Sequence, residues 1–499
     1  MSDFDYELAI IGGGPAGVTA ALRAKELGAG RIVLVDRREL GGVCTNDGCI
    51  PMRVLAKAAR LLRDARQWGD FGIAGDAPGL DMPRLMGRVG GVIGAMHDKK
   101  AIAGRLESAG VDLVLGRGAA RFVSAHRLAV GDGDGEMFTA KKVLLCAGGH
   151  SARPPFAGAE LAHNHSDLWH LKSVPKRVVV VGAAATGCQA ASVLRAFGSE
   201  EVTLIDTAPR VLPQEDPFVS GVVRDGFERS GIRVLTGTKG VSKIERGAGE
   251  TRRVAVDRGD GGEPETLLAD LVMLCVGWPA NLEPLNLPAA NVETTKRGYV
   301  AVDDTLRSVS APHIYAAGDM NGRLMLVQTA TEQACIAAEN AVRGTRRKDR
   351  LHIVPHGGFT DPEYASVGVT EEKAREREPD CLVATAYLRE MDRAVIDGRT
   401  IGGCKLIVSR ATHRILGAHV AGEEAMEVIH LCAGAMAGNL KVDQLAKMEL
   451  AYPTYSAVVG RAARDISREL DLIPCASDEA GEACAAEWEF GHSKGNLSG

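Results

Sequence analysis

The most restrictive feature of this chain is a pattern that occurs twice. In the first copy an apolar strand at 6–11 leads into Gly12-Gly13-Gly14-Pro15-Ala16-Gly17, an alanine-rich helix and a second strand that ends at Asp36. A second copy begins with the strand 177–181, and the same number of residues separates its last loop residue from its aspartate. Glycines at these positions let the backbone approach a pyrophosphate, which the helix N-terminus binds, while the carboxylate accepts a hydrogen bond from a ribose hydroxyl. The repeat therefore predicts two dinucleotide-binding domains and two nucleotides.

The second copy differs from the first at one glycine. It reads Gly182-Ala183-Ala184-Ala185-Thr186-Gly187, with Ala184 at the middle glycine position, where one extra methyl group is tolerable. Its second strand ends at Asp206, which favours NAD(H) because a carboxylate there repels the 2′-phosphate of NADP. Arg210 follows shortly after and leaves NADP(H) as the alternative.

Two cysteines, Cys44 and Cys49, follow the first copy directly. In a regular helix, five positions give a rise of about 7.5 Å and a rotation of about 140°, whereas a disulfide needs Cα atoms roughly 4.4–6.8 Å apart. Cys44 is therefore predicted in a turn or distorted turn before a helix, with Gly48 relieving the steric constraint. A thiol at a helix N-terminus has a lowered pKa and is reactive. Two ordinary buried cysteines or a metal pair are the alternatives, and the position after a nucleotide-binding unit favours a redox pair.

Length and composition set broad limits. A chain of 499 residues predicts two to four domains. The net charge of −5 gives no reason to expect nucleic acid or an anionic membrane as a partner. No apolar run reaches the roughly 18 residues of a membrane span, and the acidic N-terminus shows no signal peptide. The eleven cysteines are scattered without a disulfide-scaffold spacing, which predicts a cytoplasmic protein. Cys146 and Cys275 are predicted as buried residues inside apolar strands.

The cysteine motif and two further stretches carry a family resemblance. Cys-Thr-Asn-Asp-Gly-Cys at 44–49, between Gly-Gly and Ile-Pro, resembles the redox-disulfide motif of the flavin-dependent pyridine nucleotide–disulfide oxidoreductases, such as dihydrolipoamide dehydrogenase, glutathione reductase and mercuric reductase. Residues 311–319 resemble the family's second flavin motif, in which Asp319 would bond the ribityl chain. The helix that begins near Gln328 would then direct its N-terminus at the flavin ring. Residues 359–368 are similar to the entry of the domain through which family members dimerise.

The resemblance implies an α/β fold with two Rossmann-like dinucleotide-binding domains, for FAD and NAD, and a C-terminal α+β dimerisation domain. The predicted order is the first part of the FAD domain at 1–150, the NAD(P) domain at 151–278, the second part of the FAD domain at 279–350, the interface domain at 351–470 and a tail at 471–499. A homodimer is expected.

The resemblance also implies the cofactor sites. A β-meander is predicted to follow each nucleotide-binding unit, and the segment between Cys44 and Cys49 is called the cysteine loop. FAD is predicted to bind residues in and next to the first glycine loop, the cysteine loop, the first meander and the second flavin motif: Gly12, Gly14, Pro15, Ala16, Gly17, Asp36, Arg37, Gly42, Val43, Arg53, Ala120, Ala147, Gly148, Gly149, Gly318, Asp319 and Val327. NAD(H), preferred over NADP(H), is predicted to bind residues of the second Rossmann unit: Gly182, Ala184, Thr186, Gly187, Asp206, Val241 and Gly277. No metal site is predicted.

The chain departs from the family near its C-terminus. Disulfide reductases of the family carry a His-Pro there, with a Glu five residues after the His, and this His moves a proton at the partner subunit's active site. Here Tyr452 and Ala457 stand at those positions. Tyrosine, with a pKa near 10, is a poor base, so Tyr452 is predicted either as a proton donor or pocket residue or as a plain interface aromatic. Mercuric reductase and soluble transhydrogenase resemble this chain in having tyrosine there, but transhydrogenase lacks the cysteine pair.

Two other departures concern charge and the tail. Many relatives pair a Lys after the second cysteine with a Glu of the NAD domain beside the flavin, whereas this chain has Arg53 and Gln189. A cation without its carboxylate is predicted to favour reduced flavin and the Cys49 thiolate, unless Arg53 finds another acid. Cys475 and Cys484 lie in the polar tail and are predicted either as carriers of metal or electrons to the inner pair or as incidental thiols.

These observations predict electron transfer from NADH to FAD, to Cys49, and through Cys44 to a disulfide or dithiol substrate, as in dihydrolipoamide dehydrogenase. Reduction of a thiol-bound soft metal, as in mercuric reductase, is the alternative. A diaphorase or quinone reductase that bypasses the cysteines, and a non-catalytic redox-sensing flavoprotein, are further alternatives.

Overall fold

The computed structural model describes residues 4–131, 135–350 and 353–473. The helices, in chain order, are α1 Pro15–Glu26, α2 Gly42–Asn46, α3 Cys49–Ala65, α4 Met82–Lys100, α5 Ile102–Ser108, α6 Ala185–Phe197, α7 Pro217–Arg229, α8 Val327–Arg343, α9 Glu371–Arg377, α10 Asp392–Ile396, α11 Ala425–Ala437, α12 Val442–Ala446 and α13 Ala457–Glu469. Short 3₁₀ segments lie between them, among them His165–His170 and Gly318–Asn321.

The strands, in chain order, are β1 Tyr6–Ile11, β2 Ile32–Asp36, β3 Val111–Leu115, β4 Ala120–Ser124, β5 Arg127–Val130, β6 Glu136–Leu145, β7 Arg177–Val181, β8 Glu201–Ile205, β9 Ile232–Leu235, β10 Gly240–Arg246, β11 Arg252–Asp257, β12 Glu265–Ala269, β13 Leu271–Leu274, β14 Ile314–Ala316, β15 His356–Gly358, β16 Tyr364–Gly368, β17 Leu382–Tyr387, β18 Gly403–Val408 and β19 Ile415–Ala421. The predicted fold class, α/β with two Rossmann-like units and a C-terminal α+β domain, is confirmed.

The described chain forms two compact units. The first comprises residues 4–155, 163–174 and 274–350, apart from 132–134. The second comprises residues 156–162, 175–273 and 353–473. The chain therefore leaves the first unit, builds the second copy of the repeat, and returns to the first unit at 274.

The first unit is built on a parallel sheet in the order β3-β2-β1-β6, with β14 on the other side of β6. The strands β4 and β5 continue from β6 as an antiparallel meander. Side chains of β1 alternate between two cores: Leu8 and Ile10 pack with α1 and α8, while Ala9 and Ile11 pack on the meander side. A strand covered on both faces has a continuous apolar sequence, which is why the buried residues 8–11 are all apolar.

The second unit contains the second Rossmann sheet, in the order β13-β7-β8-β9, and the antiparallel meander β10-β11-β12. Its C-terminal part is an antiparallel sheet in the order β15-β16-β19-β18-β17. This sheet packs with α11, α12 and α13 in one apolar cluster that includes Cys404, Cys432 and Ile466. The prediction that Cys146 and Cys275 lie inside strands is wrong in detail, because β6 ends at Leu145 and β13 at Leu274.

Candidate functional site

The first glycine loop is shaped for a close backbone approach. Gly12 has φ +110°, and a Cβ atom there would lie 2.2 Å from the carbonyl oxygen of Cys146. Gly14 is the N-cap of α1 and no side chain caps this end, so the N–H groups of the first turn remain available to an anion. A Cβ at Gly42 would lie 2.8 Å from the Cα of Gly14, which places the start of the cysteine loop against the glycine loop. Pro15, Ala16 and Gly17 form the first turn of α1.

Asp36 organises the loop from the end of β2. Its Oδ2 accepts a hydrogen bond of 2.6 Å from the N–H of Gly13, and its Oδ1 accepts one of 2.8 Å from the N–H of Arg38. A cavity at this point is lined by residues that include five of the predicted FAD ligands, namely Gly12, Asp36, Arg37, Ala120 and Ala147. The glycine cradle, the uncapped helix and this cavity fit a bound dinucleotide such as FAD.

The cavity also contains a residue that sequence reasoning missed. Asn281 lines it and donates a hydrogen bond of 2.7 Å from Nδ2 to the carbonyl oxygen of Ala147. The return of the chain to the first unit at 274 brings Asn281 there, and nothing in the local sequence marks it.

The second flavin motif lies at the end of β14. Gly318 has φ +70° and donates its N–H to Oε1 of Gln333, while Val327 begins α8, whose N-cap is Leu326. Asp319 Oδ2 accepts a hydrogen bond of 2.8 Å from Nε1 of Trp278. Burial raises the pKa of Asp319, and this bond opposes the rise. The predicted contact of Asp319 with the ribityl chain stays a prediction.

Trp278 is a second residue that sequence reasoning missed. A Cβ at Gly149 would lie 2.4 Å from Nε1 of Trp278, so glycine is needed where the indole passes. Gly148 has φ +67°, and its carbonyl oxygen accepts the N–H of Asn281. Gly148 and Gly149, which follow β6, therefore make room for the segment that contains Trp278 and Asn281.

Cys44 and Cys49 occupy two successive helices. Cys44 lies in the single-turn helix α2, and Cys49 begins α3 behind the N-cap Gly48. The prediction of a turn before the main helix is thus refined, because the turn is itself helical. Both residues are free thiols. Val43 is partly exposed between Gly42 and Cys44.

The two cysteines have pKa values that are shifted in opposite directions. The hydrogen bond from Cys44 lowers the pKa of Cys49 to about 7, against the opposing effect of burial. The same hydrogen bond, together with burial, raises the pKa of Cys44. The N–H of Cys49 also lowers its own pKa, as expected at the start of a helix. When the pair loses one proton, the negative charge therefore lies on Cys49 and Cys44 keeps its proton.

Residues from distant parts of the first unit contact the loop between the cysteines. Lys100 at the end of α4 donates a hydrogen bond of 2.8 Å to Oγ1 of Thr45. The charge of Lys100 lowers the pKa of both cysteines. His97 Nε2 lies 2.7 Å from Oδ1 of Asn46. None of these partners was predicted, because no local pattern connects α4 with the cysteines.

Arg53 and Gln189 belong to different units of the chain. Arg53 lies exposed in the first turns of α3, in the first unit. Gln189 lies on α6 in the second unit, where Nε2 donates to the carbonyl oxygen of Ala185 at 3.1 Å and Oε1 accepts from the N–H of Phe359 at 3.3 Å. Their predicted effect on the flavin and on Cys49 stays a prediction.

The second glycine loop repeats the geometry of the first. Gly182 has φ +101°, and the N–H of Ala183 donates to Oδ2 of Asp206. Ala184, the N-cap of α6, has φ −81°, a value that alanine adopts without strain, and no side chain caps the helix. Thr186 and Gly187 lie in the first turn of α6. The backbone conformation at position 184 therefore does not require glycine, and alanine fits there.

Two other residues of the predicted NAD(H) site, Val241 and Gly277, fall in different units of the chain. Val241 lies in β10, and Gly277, with φ +151°, follows β13. Arg210 donates from Nη2 to the carbonyl oxygens of Pro213 and Glu215, at 3.3 and 3.2 Å. Its Nη1 lies 3.5 Å from a carboxylate oxygen of Glu372.

Tyr452 lies before α13 and is half exposed. Its Oη donates a hydrogen bond of 2.6 Å to Oδ2 of Asp392, and 52% of its surface is accessible. Ala457 is the first residue of α13. The tail cysteines Cys475 and Cys484 lie outside the described residues. Within the described ranges, no group of three or more His, Cys, Asp or Glu side chains is arranged to hold a metal ion.

The chain matches two family models. Residues 6–334 match the pyridine nucleotide-disulphide oxidoreductase family, and residues 354–463 match its dimerisation domain. The chain belongs to this family. It is accordingly an FAD-dependent, NAD(P)H-dependent disulfide oxidoreductase, and the predictions of family, enzyme class and flavin cofactor are confirmed. The dimerisation domain supports a homodimer.

Relatives within the family span two activities. The chain is 29% identical over 477 residues to mercuric reductase of Lysinibacillus sphaericus, covering 95% of this chain and 85% of the relative. It is 31% identical over 471 residues to dihydrolipoyl dehydrogenase of Thermus scotoductus, covering 93% and 98%. Among solved structures, the HOCl-induced flavoprotein disulfide reductase RclA of Escherichia coli, in a Cu(II) complex, superposes with a TM-score of 0.80 at 25% identity, covering 93% and 100%.

The described helices include none that is both long enough and apolar enough to cross a lipid bilayer.

Proposed function

We propose that this oxidoreductase passes electrons between NADH and a disulfide or dithiol substrate through Cys49 and Cys44, in the manner of a dihydrolipoamide dehydrogenase. The observation that carries the proposal is the hydrogen-bonded cysteine pair, in which the pKa of Cys49 is about 7 and that of Cys44 is raised. An asymmetric pair of this kind separates two roles, a resting thiolate and an attacking thiol.

The chain's own residues account for the sulfur chemistry. In the direction of disulfide reduction, the Cys49 thiolate accepts the proton of Cys44 as the Cys44 sulfur attacks the substrate disulfide. This step forms a mixed disulfide and releases one substrate thiolate. Cys49 then attacks the Cys44 sulfur, its proton passes to the departing second thiolate, and the Cys44–Cys49 disulfide forms. The reverse sequence oxidises a dithiol.

FAD bound along Gly12, Asp36, Ala120 and Ala147 would supply two-electron transfer between reduced nicotinamide and the cysteine disulfide. The fit rests on the glycine loop, the uncapped N-terminus of α1 and the cavity at Asp36.

NADH is proposed over NADPH. Asp206 ends β8, where a carboxylate repels a 2′-phosphate. Arg210, the residue that left NADP(H) open, already donates to two backbone carbonyls and lies close to Glu372. Recruiting its guanidinium to a phosphate would break these contacts, so NADPH binding would be weaker.

Tyr452 is proposed to contribute to the active site of the partner subunit of the homodimer. It lies within the segment that matches the dimerisation domain, and half of its surface is accessible. A cytoplasmic location is proposed on the cysteine usage of the sequence.

Reduction of a thiol-bound soft metal is the second candidate. The presence of tyrosine rather than histidine at position 452, and the identity to mercuric reductases, favour it. In that case the substrate metal would be held by the reduced sulfurs of Cys44 and Cys49 before reduction.

The test is an anaerobic NADH titration of the FAD-loaded wild type and Cys44→Ser, followed by turnover with lipoamide, glutathione disulfide, Hg(II) bound to thiol, and a quinone. The proposal expects flavin reduction in both proteins and turnover with lipoamide that Cys44→Ser abolishes. Turnover with Hg(II) alone would select the second candidate. Quinone turnover that survives Cys44→Ser, with no disulfide or metal turnover in the wild type, would reject both in favour of a diaphorase.

A further inference from the structure

An anchor holds the middle of the cysteine loop. Asp47 lies between Cys44 and Cys49, and its Oδ1 accepts a hydrogen bond of 2.8 Å from Nε1 of Trp169. Its Oδ2 accepts one of 2.5 Å from Oγ of Ser166. Nε2 of His165 lies 3.6 Å from the same oxygen. The loop is thus tied to a segment more than a hundred residues later in the chain.

The anchoring segment is itself fixed. Ser166 and Trp169 belong to the 3₁₀ helix His165–His170, which begins with a capping box formed by Asn164 and Asp167. His165 is 7% exposed, and its Nδ1 lies 3.1 Å from Oγ of Ser151.

The anchor also reaches the second flavin motif. The ring of His165 packs 5.2 Å from that of Trp278, centroid to centroid, and Trp278 donates to Asp319. The carboxylate of Asp47 is therefore linked, through His165 and Trp278, to Asp319 of the predicted second flavin motif.

None of these bonds involves a sulfur atom, so closing the disulfide removes no donor or acceptor from them. In the structure they hold the loop while both cysteines are reduced. A loop held in this way keeps the two sulfurs close after reduction, so that reoxidation costs little conformational entropy. Without the anchor, the loop would gain conformational entropy in the dithiol form but little in the disulfide form, where the ring is closed. The equilibrium would therefore shift towards the dithiol.

We propose that Asp47 is a positioning residue for the cysteine pair, which holds the loop through Ser166 and Trp169 and thereby favours the Cys44–Cys49 disulfide over the dithiol. The proposal rests on the proposed redox role of the pair. It assigns a function to the one carboxylate between the two cysteines, and no part of the mechanism above uses that carboxylate.

The test measures the dithiol–disulfide equilibrium directly. FAD-loaded wild type, Asp47→Asn, Trp169→Phe and Ser166→Ala are equilibrated in buffers of reduced and oxidised dithiothreitol, quenched with acid, and the state of Cys44 and Cys49 is read by mass spectrometry. Asp47→Asn should shift the equilibrium about tenfold towards the dithiol, which for a two-electron couple is about 30 mV. Trp169→Phe and Ser166→Ala keep the carboxylate charge, and each should shift it severalfold in the same direction.

Matched controls separate positioning from general damage. Trp68→Phe and Asp70→Asn make the same chemical changes in the first unit, away from the anchor, and should leave the equilibrium unchanged. A purely structural role for Asp47 would lower the thermal stability of the oxidised and reduced proteins equally and would not move the equilibrium. An equilibrium constant within twofold of wild type in both Trp169→Phe and Ser166→Ala would overturn the proposal, even if Asp47→Asn does not fold. A wild type that forms no Cys44–Cys49 disulfide in any buffer would instead overturn the proposed function.

Discussion

Tyr452 donates a hydrogen bond of 2.6 Å to Oδ2 of Asp392, the first residue of α10. The family's histidine has a glutamate five residues later, and this chain has Ala457 there instead. Asp392 therefore gives Tyr452 a carboxylate partner from another part of the second unit. Because the hydroxyl proton is donated to Asp392, the proposed role of Tyr452 at the partner's active site is that of a hydrogen-bond acceptor.

Tyr452→Phe should lower turnover with the preferred acceptor about tenfold, the cost of one lost hydrogen bond of about 1.4 kcal/mol in the transition state. Flavin reduction by NADH should be unchanged, since the half-reaction with nicotinamide does not involve this hydroxyl. Stopped-flow absorbance separates the two half-reactions. Tyr387→Phe, on β17, is the control and should leave both at the wild-type rate. Full turnover in Tyr452→Phe would leave Tyr452 as an interface aromatic.

A buried ionic cluster stabilises the second unit. Lys405 lies 3.0 Å from Oδ1 of Asp216, which is fully buried, and also pairs with Glu371. Lys405→Met would remove the lysine that pairs with the buried carboxylate of Asp216, while Glu371 would keep its pair with Arg375, so we expect a loss of about 3–5 kcal/mol in the free energy of unfolding. Urea denaturation followed by circular dichroism measures it.

The matched control is Lys447→Met, which breaks an exposed pair with Asp443. Exposed pairs on a helix contribute about 0.3–0.5 kcal/mol. Equal destabilisation by the two substitutions would show that the buried cluster adds nothing beyond a surface pair.

The pair His356–Glu215 makes stability depend on pH. Nε2 of His356 lies 3.2 Å from Oε1 of Glu215. Burial lowers the pKa of His356, but the hydrogen bond and the charge of Glu215 outweigh it, and the net pKa is raised. A raised pKa means that the folded state binds the proton more tightly than the unfolded state does. Its stabilising contribution is therefore complete below about pH 6.5 and is lost as the pH rises through the folded-state pKa.

The difference in unfolding free energy between wild type and His356→Gln should accordingly be largest near pH 6 and should shrink towards about pH 9. Thermal unfolding at a series of pH values measures it. His430→Gln, at an exposed position on α11, is the matched control for the substitution itself and should change the unfolding free energy by less than His356→Gln does near pH 6. If the difference in unfolding free energy between wild type and His356→Gln grew with pH, the pKa of His356 would be lowered in the folded state rather than raised.

The thiolate of Cys49 should titrate near neutral pH. Its pKa is about 7, chiefly because Cys44 donates a hydrogen bond to it, with a smaller lowering from the charge of Lys100. Cys44→Ala should raise this pKa towards the ordinary thiol value of about 8.5, and Lys100→Met should raise it less. The rate of alkylation of Cys49 against pH, with peptide mapping, measures it. Lys99→Met changes the neighbouring exposed lysine and should have no effect. If Lys100→Met raised the pKa of Cys49 more than Cys44→Ala did, the hydrogen bond from Cys44 would not be the main cause of the lowered pKa.

The glycine loops explain why so much of the fold could be predicted. Gly12 and Gly182 both adopt φ above +100°, and Asp36 and Asp206 both accept the N–H of the second loop residue. Such constraints are local. A positive φ favours glycine at the start of each loop, and the aspartate must lie at a spacing from which its carboxylate can accept the loop N–H. The same holds for Cys49 at the start of α3, where helix geometry excludes a disulfide within one regular helix.

The partners of these residues could not be predicted. Asp47 meets Trp169, Asp319 meets Trp278, and Tyr452 meets Asp392, in each case across a long stretch of chain. A hydrogen bond between distant residues leaves no periodicity or spacing in a single sequence. By itself the sequence determined the two Rossmann units, the cysteine pair and the family, because these depend on short-range backbone and side-chain geometry. Only the tertiary structure decided which polar groups surround the cysteines and the tyrosine, because packing of separate segments sets those contacts.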